Sequence, residues 1–145
     1  MAFTPTRMQA TGNFGEDIAA GYLRKLGMEI VARNWRKGSY ELDLICLHEG
    51  TLVFVEVKTR GANSFETPAE ALNSGKRKSL MRAVMEYLYE TDLWEMPCRF
   101  DLVSVVTENS RQEVEHIEDV LKFDTGSDKS GRHALDCGHT PWQPW

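Results

Sequence analysis

Cysteine is scarce and shows no framework: the chain of 145 residues holds three, Cys46, Cys98 and Cys137, an odd number with two of them inside apolar runs. This excludes a small disulfide-stapled secreted domain and points to a reducing compartment. Long hydrophobic runs are also missing. The N-terminal stretch lacks the apolar segment of a signal peptide, and nothing approaches the roughly 20 residues of a membrane helix. A soluble, cytoplasmic protein with no membrane association is therefore expected. No internal repeat is visible, and no four-ligand zinc pattern. His133 stands apart, and Cys137 and His139 supply two ligands where a structural zinc takes four. Positive charge is short as well, with a net charge of -5, which at first argues against a polyanionic partner. Its distribution says more than its sum. Residues 1–82 carry 12 lysines and arginines against 9 acids, whereas residues 83–145 carry 5 against 13. Local basic patches in the first half can still meet phosphates, although long-range steering is weak.

The length suits one domain with a single core. Residues 1–11 read as a loose arm. Phe14, Ile18, Ala19, Tyr22, Leu23 and Leu26 then fall at helical spacing, and Gly27 is placed to end that helix. Met28 to Trp35 reads as a strand, Tyr40 to Thr59 as a hairpin, and Asn73 to Tyr89 as a second helix with Leu80, Val84, Tyr87 and Leu88 as its buried stripe. Phe100 to Val106 is a fourth strand, with a short fifth near Val114 to Ile117. The α-β-β-β-α-β order predicts an α/β fold with a central mixed sheet flanked by helices. After Phe123 the composition turns to Asp, Gly, Ser and Lys, so 12–123 is read as the domain and 124–145 as a flexible tail.

The hairpin carries the chemistry. A two-residue turn at Glu49-Gly50 pairs His48 with Thr51, and stepping back along both strands sets Asp43 opposite Glu56 and Glu41 opposite Lys58. Directly opposed residues have Cβ atoms about 4.5 to 5.5 Å apart, and like charges there destabilise a sheet. By alternation Glu41, Asp43 and Ile45 share one face with Leu52, Phe54, Glu56 and Lys58 opposite them. Leu42, Leu44 and Cys46 lie on the other face against Val53, Val55 and Val57, so both faces should be covered. Solvated salt bridges such as Glu41 to Lys58 are the alternative reading, and the opposed carboxylates weigh against it. Two converging carboxylates beside an ammonium can bind a hard divalent cation and hold a water next to it, the outline of a metal-dependent phosphodiesterase. Without the cation, one of the two should resist ionisation. Arg60, Lys76, Arg77, Lys78 and Arg82 are candidates for phosphate contact, Lys76 from the start of its helix, where backbone N–H groups favour anions; apart from Arg60 and Lys76, a solvated helix face is the favoured reading of the cluster. Asp101 reads as a salt-bridge or capping residue within the sheet.

Gly15-Glu16 opening a helix, Asn34, Glu41-Leu-Asp43-Leu-Ile, Val53-Phe-Val-Glu56-Val-Lys58-Thr-Arg60, Lys76 and Arg99-Phe-Asp101-Leu-Val together resemble the YraN-like (UPF0102) family from about Gly12 to Phe123. That family is similar in turn to the restriction-endonuclease-like superfamily, including Holliday-junction resolvases. The resemblance implies a restriction-endonuclease-like core and divalent-metal-dependent endonuclease activity on nucleic acid, with branched or structured DNA favoured. Asp43 and Glu56 match the metal carboxylates, with the Val57 carbonyl as a further ligand for Mg²⁺ or Mn²⁺. Lys58 matches the catalytic lysine and Glu16 the first-helix acid. For Glu16 a simple macrodipole role remains open. Glu41 is then a structural or second-shell partner of Lys58, and Arg60 and Lys76 are nucleic-acid contacts. Tyr40 replaces the family's usual Gly, and either narrows the approach or stacks on a nucleobase. Junction resolvases cut two strands as dimers, so a homodimer fits, though no interface is legible. Two rival functions stand beside this one: a non-catalytic nucleic-acid-binding module, and an assembly factor with a protein partner.

Overall fold

The computed structural model describes residues 7–63 and 66–121. Residues 1–6 of the expected arm, and the expected tail with His133, Cys137 and His139, lie outside them. The elements are α1 (Arg7–Lys25), β1 (Glu29–Lys37), β2 (Tyr40–His48), β3 (Thr51–Gly61), α2 (Pro68–Ala71), α3 (Ser74–Thr91), β4 (Cys98–Glu108) and β5 (Arg111–Ile117). One five-stranded sheet runs in the order β1-β2-β3-β4-β5. All neighbours are antiparallel except β3 and β4, which are parallel and are joined through α2 and α3. Parallel neighbours require such a crossover, and hairpins serve the rest. No helix among the described residues is long and apolar enough to cross a membrane.

Helix ends follow local chemistry. Gly27, at φ 92°, closes α1: its N–H donates to the Arg24 carbonyl and the Met28 N–H to that of Leu23, a paired cap that only a residue at ease in the left-handed region makes cheaply. At the other helix Asn73 accepts from the Lys76 N–H at 3.0 Å, satisfying one of the free donors of the first turn. The start of α1 at Arg7 lies two turns ahead of the expected Phe14. The short α2 was not expected, four residues being too few for a periodic signal.

The core has a layer on each face of the sheet, as two apolar hairpin faces require. Ala19, Ala20 and Leu23 of α1 pack on Leu44, Cys46, Val53, Val55, Val103 and Val105. The alanines let the helix lie close, while Phe14 and Leu26, the expected ends of its stripe, fall outside the contact at 48% and 44% exposed. On the other face Leu80, Val84, Tyr87 and Leu88 of α3 cover Leu42, Ile45, Phe54, Phe100 and Leu102.

Besides the register shift between Ile30 and Ala32 on β1, strand alternation is broken on β2, and that second break makes the site. Leu44 and Cys46 face α1 and Ile45 faces α3, yet Leu42 also faces α3. The expected common face for Glu41, Asp43 and Ile45 is therefore not formed. The irregularity lies at Asp43, and between its flanking pairs on β1, Arg33↔Leu44 and Trp35↔Leu42, sits Asn34 with φ 50°. Asparagine tolerates that conformation where branched residues do not.

Candidate active site

The turn is as short as expected, with Glu49 at φ 50° and Gly50 at φ 79°, both left-handed as the tightest hairpins demand. From His48↔Thr51 the register runs back to Leu44↔Val55 and stops. Beyond it β2 continues with β1 alone, where Glu41 pairs with Arg36, and β3 continues with β4 as far as Gly61↔Thr107. The two central strands thus part, with Asp43 and Glu56 at the root of the fork. Asp43 fills the gap with its side chain: Oδ2 accepts from the Val57 N–H at 2.9 Å, satisfying a strand donor by a carboxylate. The Glu41–Lys58 pairing is absent for the same reason. Glu41 instead lies 3.6 Å from Arg36 in an exposed ion pair.

Glu56 is 6% exposed, and its carboxyl group is in hydrogen-bonding contact with that of Asp43. Burial first, then the Asp43 charge, push its pKa up to about 7, against the pull of Lys76. Lys76 reaches from the first turn of α3 to place Nζ 3.1 Å from Glu56 Oε1. One carboxylate of the pair resists ionisation, more through burial than through the opposed charge from which it was expected.

Glu16 arrives on the α1 side. Its predecessor Gly15 lies so close to β3 that a Cβ there would run into the Thr59 hydroxyl, so only glycine lets the helix settle over the fork. Burial and then Asp43 raise the Glu16 pKa, opposed by a side-chain hydrogen bond with Asn34 and by Arg33. Glu16 Oε2 is buried with no hydrogen-bond partner, the sole such side-chain atom among the described residues. Buried polar atoms are rarely left so. Asp43 thus lies within electrostatic reach of both Glu16 and Glu56, although the three do not close into one cluster.

The remaining expected residues divide. Lys58 is half-buried on β3, and among the described residues its ammonium enters no ion pair or hydrogen bond. Val57 engages the site through its N–H. Arg60 is committed elsewhere, donating to Glu115 at 2.8 Å and to the Glu66 carbonyl. Arg77 donates to the Leu72 carbonyl. Tyr40 packs against the α3 cluster, which accounts for its ring without a ligand. Asp101 is structural: fully buried, it takes two bonds from Arg99, one contact with His116 at 2.7 Å and the Asp119 N–H. Asn34 was quoted in the sequence only as part of a resemblance. A turn-favouring residue in the middle of a strand could have marked the kink.

The donors fit a hard divalent cation in kind, being carboxylates with one buried oxygen left unpartnered. Their present arrangement is not a finished cage. Among the described residues no three Asp, Glu, His or Cys side chains are grouped to hold a metal; Asp43 Oδ2 is engaged by Val57 and Glu56 Oε1 by Lys76.

A mixed sheet between helices, in α-β-β-β-α-α-β-β order with two carboxylates where β2 and β3 part, defines an α/β domain. Within that class, the chain belongs to the Uncharacterised protein family UPF0102, whose model matches residues 15–105. A UPF0102 protein of Nitratidesulfovibrio vulgaris (strain DP4) is 46% identical over 94% of this chain and 96% of its own. That of Lawsonia intracellularis is 40% identical over 92% and 96%, and that of Nocardia farcinica 48% over 78% and 90%. Among solved structures, Pyrococcus furiosus SfsA in complex with Ca²⁺ is a distant neighbour, with a TM-score of 0.37 and 15% identity over 77% of this chain and 63% of that one.

Proposed function

We propose that the protein is a divalent-metal-dependent endonuclease of the cytoplasm that hydrolyses phosphodiester bonds in nucleic acid, with branched or structured DNA as the favoured substrate. The observation that carries this reading is the meeting of Asp43 and Glu56 at the fork. Two contacting carboxyl groups, one of them buried, are an arrangement that folding alone does not favour. Asp43, Glu56 and the Val57 carbonyl would hold Mg²⁺ or Mn²⁺. When bound, the ion would polarise the scissile phosphate and offset its developing charge.

The chain's own groups do the rest. Lys58 Nζ, uncommitted on the same strand as Glu56, orients the attacking water and assists its deprotonation. Glu16 Oε2, buried and without a partner, accepts a hydrogen bond from that water or from one beside it. The acids hold the phosphate's counter-ion, and the basic residues of the first half meet the backbone. Two such cuts in a branched substrate call for two copies of the chain.

Cleavage of a panel of branched and linear DNA and RNA with Mg²⁺ or Mn²⁺ tests the reading. The wild type should cut at least one substrate, and Glu56→Ala and Lys58→Ala should reduce the rate at least about a hundredfold, the lower end of what a positioned proton-transfer group contributes. Nucleic-acid binding with equal inactivity of all three proteins would leave a binding module, and absence of both metal and nucleic-acid binding would favour the assembly-factor reading.

A further inference from the structure

Lys76 is the side chain whose position the expected mechanism does not explain. As a phosphate contact at a helix start it should point to solvent, yet its ammonium lies 3.1 Å from a Glu56 oxygen while its side chain remains 41% exposed. Its partner Glu56 is buried, so the pair is asymmetric: a buried acid and an accessible, flexible base. Its backbone is held independently of this contact by the Asn73 cap, so the ammonium can leave without the helix moving. Lys58 presents the opposite case, half-buried on a strand and paired with nothing among the described residues.

A divalent cation seated on Asp43 and Glu56 would meet the Lys76 ammonium at one carboxylate, and two cations held that close repel each other. The displaced ammonium has a four-carbon stem and three donors, and its nearest new partner in a loaded site would be a phosphate oxygen. We propose that Lys76 is an exchangeable counter-ion: it neutralises Glu56 in the metal-free protein and passes to a substrate phosphate when a divalent cation takes its place. This rests on the endonuclease reading above. It adds a coupling that the reading alone does not require, in which metal and nucleic acid each strengthen the binding of the other through one side chain.

Lys76→Met, which keeps the stem and removes the charge at a partly exposed position, separates the two ideas. Calorimetric titration with Mn²⁺ alone, at pH 8 so that Glu56 meets the ion as a carboxylate in both proteins, should show the variant binding about fivefold more tightly than the wild type, the weight of one ion pair no longer to be broken. Binding of a non-hydrolysable phosphorothioate DNA junction, measured with and without Ca²⁺, should be strengthened by the cation in the wild type. That strengthening should be about fivefold smaller in Lys76→Met, while Lys58→Met keeps it. If Lys76→Met binds Mn²⁺ no more tightly than wild type and keeps the full coupling, the exchange is refuted and the endonuclease reading stands. If neither protein binds Mn²⁺, both fall together.

Discussion

Replacing Glu56 by glutamine should stabilise the protein above neutral pH. The carboxyl is buried, and its pKa stands at about 7 in the folded chain against an ordinary value of 4.5. Between those values the unfolded chain has released the proton while the folded chain retains it, so the folded state binds more protons and stability falls as pH rises. Below about 4.5 the penalty vanishes; above about 7 it is complete. The difference of about 2.5 pH units corresponds to roughly 3 kcal/mol. Glutamine has the same shape and no charge to desolvate. Urea unfolding of the metal-free protein, followed by tryptophan fluorescence in EDTA at pH 4.5, 6, 7 and 8, measures the difference directly. The two proteins should agree at pH 4.5, and the variant should lead by up to about 3 kcal/mol at pH 8. Titrating groups remote from Glu56 are common to both proteins and cancel in the difference, which leaves Glu56 and its partners Asp43 and Lys76 as its source. A constant difference across this range, or a variant less stable at pH 8, would refute the placement of Glu56 as a buried acid facing a second carboxyl group.

Gly15→Ala should cost about 1 to 3 kcal/mol through overpacking against Thr59, and Thr59→Ala in the same chain should recover most of it, a cycle read by thermal unfolding. Asn73→Ala should remove about 1 kcal/mol with the cap of α3, seen as a lower denaturant midpoint at unchanged slope. Asp101→Asn should destabilise by about 3 kcal/mol, since Arg99 and His116 lose the buried charge they share, and amide exchange should rise in β4 and β5.

How far the sequence could be read depended on whether a rule was local. The hairpin register followed from two turn residues and holds for the five pairs from His48↔Thr51 to Leu44↔Val55. The cap at Gly27 and the stripe of α3 were equally local. Alternation, by contrast, assumes an unbroken period of two, and it failed at Asp43, where Asn34 across the ladder takes a left-handed conformation. The error passed to Glu41, which was paired with Lys58 and sits beside Arg36. Lys76 and Arg60 were picked out by residue type and position, but their partners Glu56 and Glu115 depend on how α3 packs onto the sheet and how β4 sets β5 beyond β3. No spacing within the chain encodes that. The short α2 and the close approach of Gly15 to Thr59 were invisible for the same reason.

The parting of β2 and β3 also separates two kinds of evolutionary constraint. The paired part of the hairpin, from Leu44↔Val55 to the turn, anchors both core layers, while Asp43 and Glu56 lie just past the last rung. Substitutions there leave the packed pairs untouched, and by the pH argument some relieve a burden on the fold. A lineage can therefore shed the Glu56 charge and keep a sound, or sounder, domain, whereas loss of Asp43 leaves the Val57 N–H without its partner. Stability alone thus pulls the two carboxylates of the fork in opposite directions.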